Sequence, residues 1–184
     1  MGRILPETDR PRFAGTVSEL GDNVDEVSVG APMALNIFLS CGDCQEGMPQ
    51  LCTAFNWIVV GSPGFSDSIV MPASAAVPVP NGVSLRQATL AEPLSVSVHA
   101  IKRSNRDVGD VVGVFGAGQI RLGIIDAAQT VGAGKILVSE LYSAWRDTAV
   151  ELGIDIVIDP CETDSIGHFK DETDRGVDVS FEVA

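Results

Sequence analysis

The run Val111-Val112-Gly113-Val114-Phe115-Gly116-Ala117-Gly118-Gln119-Ile120-Arg121 decides how the second half of this chain folds. An apolar strand leads into Gly-Ala-Gly, an amphipathic stretch follows, and the next apolar strand ends in an acid, Glu140. That is the order in which a tight turn and a helix N-terminus hold a pyrophosphate while the acid accepts hydrogen bonds from a ribose. Gly116 suits the turn, and Gly118 lets the main chain approach the phosphates. Free N–H groups around Gln119 and Ile120 supply donors and the positive end of the helix dipole. Gly116, Ala117, Gly118, Gln119, Ile120 and Glu140 are therefore the candidate cofactor-binding residues. A carboxylate at Glu140 also repels a ribose phosphate, which favours NAD over NADP. The other reading of the same residues is a plain strand-to-helix turn with a solvated acid at a strand end.

The third glycine of the pattern is replaced by Arg121. A long cation there either bends outward, pushes the helix from the strand at an overpacking cost of about 1–3 kcal/mol, or reaches a phosphate.

Outward from this motif, strand and helix alternate: strand 111–115, helix 119–131, strand 136–139, helix 144–152, strand 156–158, a polar helical stretch, and strand 177–181. Such spacing predicts a parallel sheet built by crossovers. Four strands are the first part of a doubly wound sheet that ordinarily has six. The first half has a different texture. Its short β-rich runs, at 15–20, 57–60 and 68–71, are separated by Gly, Pro and Asn, as in a small barrel or sandwich. Pro78-Val79-Pro80-Asn81-Gly82 reads as a turn. Ser84 is a plausible N-cap for a short helix, and a second apolar helix covers 94–101, with Pro93 in its first turn.

Of 184 residues, 45% are hydrophobic and the formal net charge is -13. An acidic surface repels nucleic-acid phosphates and anionic lipid, so neither is expected as a partner. The apolar runs are strand-sized and no signal-peptide core precedes them, which gives the expectation of a cytoplasmic chain without a membrane span. Three of the four cysteines, Cys41, Cys44 and Cys52, fall in one segment, with Cys161 apart. Without a secretory signal this favours reduced thiols or a metal site over disulfides.

Cys41-Gly42-Asp43-Cys44 is a CxxC knuckle with Cys52 as a third thiol beyond it. Together with the Gly116 motif, the order of segments from Phe13 onward resembles the zinc-dependent medium-chain alcohol dehydrogenase family, closest to its sorbitol, butanediol and idonate dehydrogenase branch. Phe13-Ala14-Gly15-Thr16-Val17 is similar to the strand that follows the family's His-Glu pair. Pro63-Gly64-Phe65-Ser66-Asp67 resembles a glycine-rich turn, and Leu90-Ala91-Glu92-Pro93-Leu94-Ser95-Val96 the segment with a glutamate at the zinc site. Gly132-Ala133-Gly134 and Ser139-Glu140 also match.

The resemblance implies an α/β protein. A partial GroES-like β-barrel domain covers residues 1–92, and a partial Rossmann NAD-binding domain, the first four strands of a doubly wound parallel sheet, covers 93–184. It further implies hydride transfer from a small-molecule alcohol or polyol to NAD, with zinc as Lewis acid, in a homo-oligomer or a pairing with an intact relative. The departures from the family point the other way. Three of four structural-zinc thiolates are matched, by Cys41, Cys44 and Cys52, whereas a closed zinc site takes four donors. Asp43, Glu46 or water would have to complete it; otherwise the three are reduced cysteines in a surface loop. Pro11 and Arg12 stand where the catalytic zinc's His-Glu would be, and the family's early cysteine lies ahead of this sequence. Glu92 alone remains of the catalytic metal site, or is simply a helix-terminal charge.

Other candidates are weaker. His99 reads as a packed helix residue, His168 has no ligand partners at useful spacing, and Trp145 reads as a surface or packing aromatic, the other reading being an indole that stacks on adenine. With two histidines there is no alternative nucleophilic arrangement. Three expectations stand side by side: an oxidoreductase of this family inactive as this chain, a non-catalytic NAD-binding or interaction remnant, and a gene-model fragment without a stable fold.

Overall fold

The computed structural model describes residues 2–6, 13–39, 51–52, 56–57, 67–154 and 156–183, with backbone alone at 2–6, 38–39 and 56–57. Two compact units divide the chain, Met1–Glu92 and Pro93–Ala184.

In the first unit the strands are β1 (Gly2–Pro6), β2 (Ala14–Glu19), β3 (Pro32–Leu35), β4 (Phe38–Leu39), β5 (Asn56–Trp57), β6 (Ile69–Met71) and β7 (Ala76–Pro78). Five form an antiparallel sheet in the order β6-β1-β2-β3-β7, and β4 pairs with β5. Alternation in β2 and β6 turns Val17, Ile69 and Met71 inward, where they pack with Phe13, Met33, Leu35 and Ala75. Strand β6 falls within the 68–71 run read from the sequence, and β2 overlaps the 15–20 run, starting one residue earlier. Strands β3 and β7 were not foreseen: each is short and contains a proline, and Pro78 is tolerated because β7 lies at the sheet edge. Of the 57–60 run only Trp57 is among the described residues. Helix α1 (Leu85–Ala88) starts from a full capping box, with Ser84 accepting from the Gln87 N–H and the Gln87 side chain accepting from the Ser84 N–H.

Helix α2 (Ala91–Arg103) begins before Pro93, whose missing N–H costs nothing within the first turn. The second unit then alternates β8 (Val111–Phe115), α3 (Gln119–Thr130), β9 (Lys135–Ser139), α4 (Ser143–Glu151), β10 (Ile156–Ile158), α5 (Ser165–Asp171) and β11 (Val179–Glu182). All pairings are parallel, in the order β10-β9-β8-β11. This is the mixed α/β architecture expected: antiparallel strands first, then four parallel strands. Val112, Val114 and Val138 meet Ile124, Ile125 and Ala128 of α3 on one face. On the other, Leu137 and Ile158 meet Phe169 of α5, whose ring lies 5.5 Å from that of Phe115. The sheet is thus covered on both faces, as a parallel sheet requires. No helix among the described residues is long and apolar enough to cross a membrane.

Candidate functional site

The chain runs β8, β9, β10 toward one edge of the sheet and then returns to place β11 on the far side of β8. The strand order reverses between β8 and β11, and in open α/β sheets ligands bind beyond the carboxyl ends of the strands at such a switch point. The glycine turn lies there. Gly116 has φ +97, a conformation open to glycine and strained for other residues. Gly118 is the N-cap of α3, in extended conformation and without a side-chain cap. The N–H groups of the first helical residues, Gln119 and Ile120, have no intrahelical acceptor by the geometry of any helix start.

Glu140, just past β9, is 5% exposed. One carboxylate oxygen accepts from the Ala117 N–H, and the other accepts from the Tyr142 N–H at 2.8 Å. Acid and glycine turn are thereby tied directly together, which separation in sequence does not reveal. Arg146 of α4 supports the same strand end: its Nη1 donates to the main-chain carbonyl of Glu140 at 2.9 Å and meets Asp159 Oδ2 at 2.9 Å. Sequence reasoning passed over Arg146, since no local pattern marks a contact between α4 and the end of β10.

Arg121 neither bends outward nor pushes its helix from the strand. Helix α3 stays packed on the sheet through Ile124 and Ile125, both fully buried. The Arg121 side chain instead lies across the turn. Its Nη1 is 2.6 Å from where a Cβ on Gly116 would sit and 3.8 Å from the same point on Gly118. Its Nη2 donates to the Val183 carbonyl oxygen and lies 3.9 Å from Glu182 Oε1.

Of the metal candidates, Glu92 and Cys52 are among the described residues. Glu92 lies in the first turn of α2, where its charge complements the helix dipole. Cys52 is buried. Cys41, Cys44, Pro11 and Arg12 lie outside the described residues. Among the described residues no three His, Cys, Asp or Glu side chains converge. His99 is exposed on α2 rather than packed, and His168 is half-buried on α5. Trp145 on α4 is 40% exposed.

Residues 10–81 match the model of the alcohol dehydrogenase GroES-like domain. The chain is 32% identical to 2-dehydro-3-deoxy-L-galactonate 5-dehydrogenase of Pseudoalteromonas atlantica, over 98% of this chain and 54% of that one. Its fold is similar to that of 2R,3R-butanediol dehydrogenase from Bacillus subtilis, with TM-score 0.84 and 31% identity over 94% of this chain and 50% of the other. The chain belongs to the zinc-type medium-chain alcohol and polyol dehydrogenases. The fold is also similar to that of a short chain alcohol dehydrogenase from Escherichia coli CFT073 complexed with NADH, at TM-score 0.82 and 27% identity, over 94% of this chain and 52% of that one. The chain spans about half the length of the curated relatives it matches. Of the five-stranded antiparallel sheet, β2, β3, β6 and β7 fall in the segment matched by the GroES-like domain while β1 precedes it, and the four parallel strands form the Rossmann-like part.

The donor chemistry decides what zinc finds here. A catalytic zinc takes three protein ligands and keeps one open position. Proline and arginine, at positions 11 and 12, offer no ligating atom, and Glu92 offers one carboxylate. These residues do not fit a catalytic zinc.

Proposed function

We propose that this chain is an alcohol dehydrogenase-like oxidoreductase of the polyol branch whose residues bind NAD and whose own donor set does not support zinc-assisted turnover. In this reading residues 1–92 are its GroES-like domain and 93–184 its NAD-binding domain, and it is a cytoplasmic protein. The observation that carries the reading is the Glu140 carboxylate, buried at the end of β9 and bonded to the Ala117 N–H of the glycine turn. The same contact holds the acid at the turn and leaves each carboxylate oxygen a further acceptor position for a ribose hydroxyl. Its charge opposes a ribose 2′-phosphate, so the cofactor is NAD. The N–H groups of Gln119 and Ile120 and the dipole of α3 suit the pyrophosphate.

NAD, when bound, supplies the hydride acceptor, and the alcohol is a small polyol or other secondary alcohol of the kind named in the relatives. Transfer requires the alcohol to lose its hydroxyl proton, which in the zinc-type family the metal assists as a Lewis acid, and of that metal site Glu92 alone remains. Turnover therefore calls for donors beyond those of this chain, as in an oligomer or a pairing with an intact relative.

Titration with NADH and NADPH tests the binding half, and zinc content together with NADH formation from 2,3-butanediol or sorbitol tests the rest. The expected result is NADH bound at least about tenfold more tightly than NADPH, a difference of about 1.4 kcal/mol, with zinc far below one per chain and no turnover. Stoichiometric zinc with turnover would remove the inactive reading. No binding of either nucleotide at millimolar concentration would remove the nucleotide site altogether.

A further inference from the structure

Resting on the dinucleotide reading above, we propose that Arg121 is a strap closed over the cofactor crevice, and that it must swing away before a pyrophosphate can settle on the glycine turn. One guanidinium touches both walls of the switch point. Nη1 lies over Gly116 and Gly118, at the end of β8, and Nη2 is bonded to the carbonyl of Val183, just past β11. The two glycines lack side chains, which is what leaves their main chain open to phosphates. The Arg121 side chain fills that opening.

The strap's position has an electrostatic cause. Arg121 is the third residue of α3, where the helix dipole disfavours a cation. Bending over the turn carries the charge to a carbonyl oxygen and toward the Glu182 carboxylate. The closure is also weakly held. Glu182 is 66% exposed and 3.9 Å away, so it adds little. Nε is buried without a hydrogen-bond partner. Opening therefore gives up one good hydrogen bond, to Val183.

The consequence is a tax on affinity. A ligand that needs the open form binds more weakly in proportion to the fraction of molecules that are open. The acid that receives the adenosine ribose, Glu140, follows β9, on the opposite side of β8 from β11. The strap therefore acts on the phosphate-bearing part of the ligand and leaves a phosphate-free adenosine alone.

The test compares the full chain with Arg121→Gly and, as a second variant at the same helix position, Arg121→Ala. NADH is titrated by its own fluorescence and adenosine by ligand-observed NMR. With the strap removed, NADH affinity rises about tenfold, as expected when the open fraction goes from about a tenth to nearly all, and adenosine binding stays within about twofold. That gain runs against the loss of a positive charge, which by itself would weaken binding of an anionic ligand. Weaker NADH binding in both variants would overturn the proposal and make Arg121 a phosphate ligand. Unchanged NADH affinity with adenosine still bound would overturn the strap while sparing the dinucleotide reading. Failure of all three proteins to bind either ligand would overturn both. A readout independent of any variant is the Nε–Hε NMR signal of Arg121. In the free chain it should exchange slowly with water, and a freely averaging signal would overturn the closed contact.

Discussion

Gly123 of α3 lies directly against Ser97 of α2, so that a methyl group on Gly123 would come 2.5 Å from the Ser97 hydroxyl oxygen. That hydroxyl donates to the Ile120 carbonyl at 2.8 Å and approaches the Pro93 carbonyl at 3.3 Å. The close packing of α3 thus depends on a glycine two residues beyond the Arg121 position, and on a neighbouring helix rather than a strand.

Gly123→Ala should destabilise the chain by up to about 2 kcal/mol. Overpacking costs about 1–3 kcal/mol and is partly offset by alanine's better helix propensity, about 1 kcal/mol. A denaturant melt followed by circular dichroism measures it. Adding Ser97→Gly should restore part of the loss, and a double variant no more stable than Gly123→Ala alone would show that the hydroxyl is not the obstacle.

Glu140→Ala should cost about 2 kcal/mol before any ligand is added, since it strips the Ala117 and Tyr142 N–H groups of a charged acceptor. Glu140→Gln should recover part of this, because its amide oxygen satisfies one N–H while its NH₂ faces the other. Hydrogen exchange at the Ala117 and Tyr142 amides reports it site by site: both should speed up in the alanine variant.

Arg146 and Asp159 are both largely buried, at 23% and 19% side-chain exposure, and 2.9 Å apart. Arg146→Ala is expected to destabilise by about 1–2 kcal/mol, through the lost charged hydrogen bonds to Asp159 and the Glu140 carbonyl. Arg146→Lys should recover little, since a single ammonium cannot reproduce the guanidinium fork. In a double-mutant cycle with Asp159→Ala the two changes should be clearly non-additive; strict additivity would mean that the pair contributes nothing.

Ser84→Ala in the first unit removes one half of the capping box and should cost about 1 kcal/mol. Gln87→Ala on that background should add less than it does alone, because the two side chains serve one helix end. Thermal melts of the three variants are sufficient to show it.

Much of the second unit was legible in the sequence because its signals are local. The apolar runs of β8, β9 and β10 and the helices between them are each set by neighbours a few positions away, as is the capping residue Ser84 in the first unit. The barrel-like half was less legible. Strands β3 and β7 are three or four residues long with a proline in each, too short for alternation to stand out, and they exist because β2 and β3 offer them hydrogen-bonding edges. Helix α2 was read as a packed apolar helix at His99, yet Val96, Val98 and His99 are exposed in the structure and Ser97 faces α3 instead. Periodicity locates a helix but does not by itself say which stripe its neighbours will cover.

The sequence alone determined that Gly116, Gly118 and Glu140 belong to one strand-turn-helix-strand pattern, and that Pro11 and Arg12 offer no zinc ligands. Both follow from residue chemistry and short spacing. Only the tertiary structure decided that Glu140 bonds to the turn itself, that Gly123 rather than position 121 admits the close helix contact, and that Arg121 lies over Gly116. The last depends on Val183, 62 residues further along. Such a contact is set by where the return of the chain places β11 beside β8, which no local pattern around Arg121 encodes.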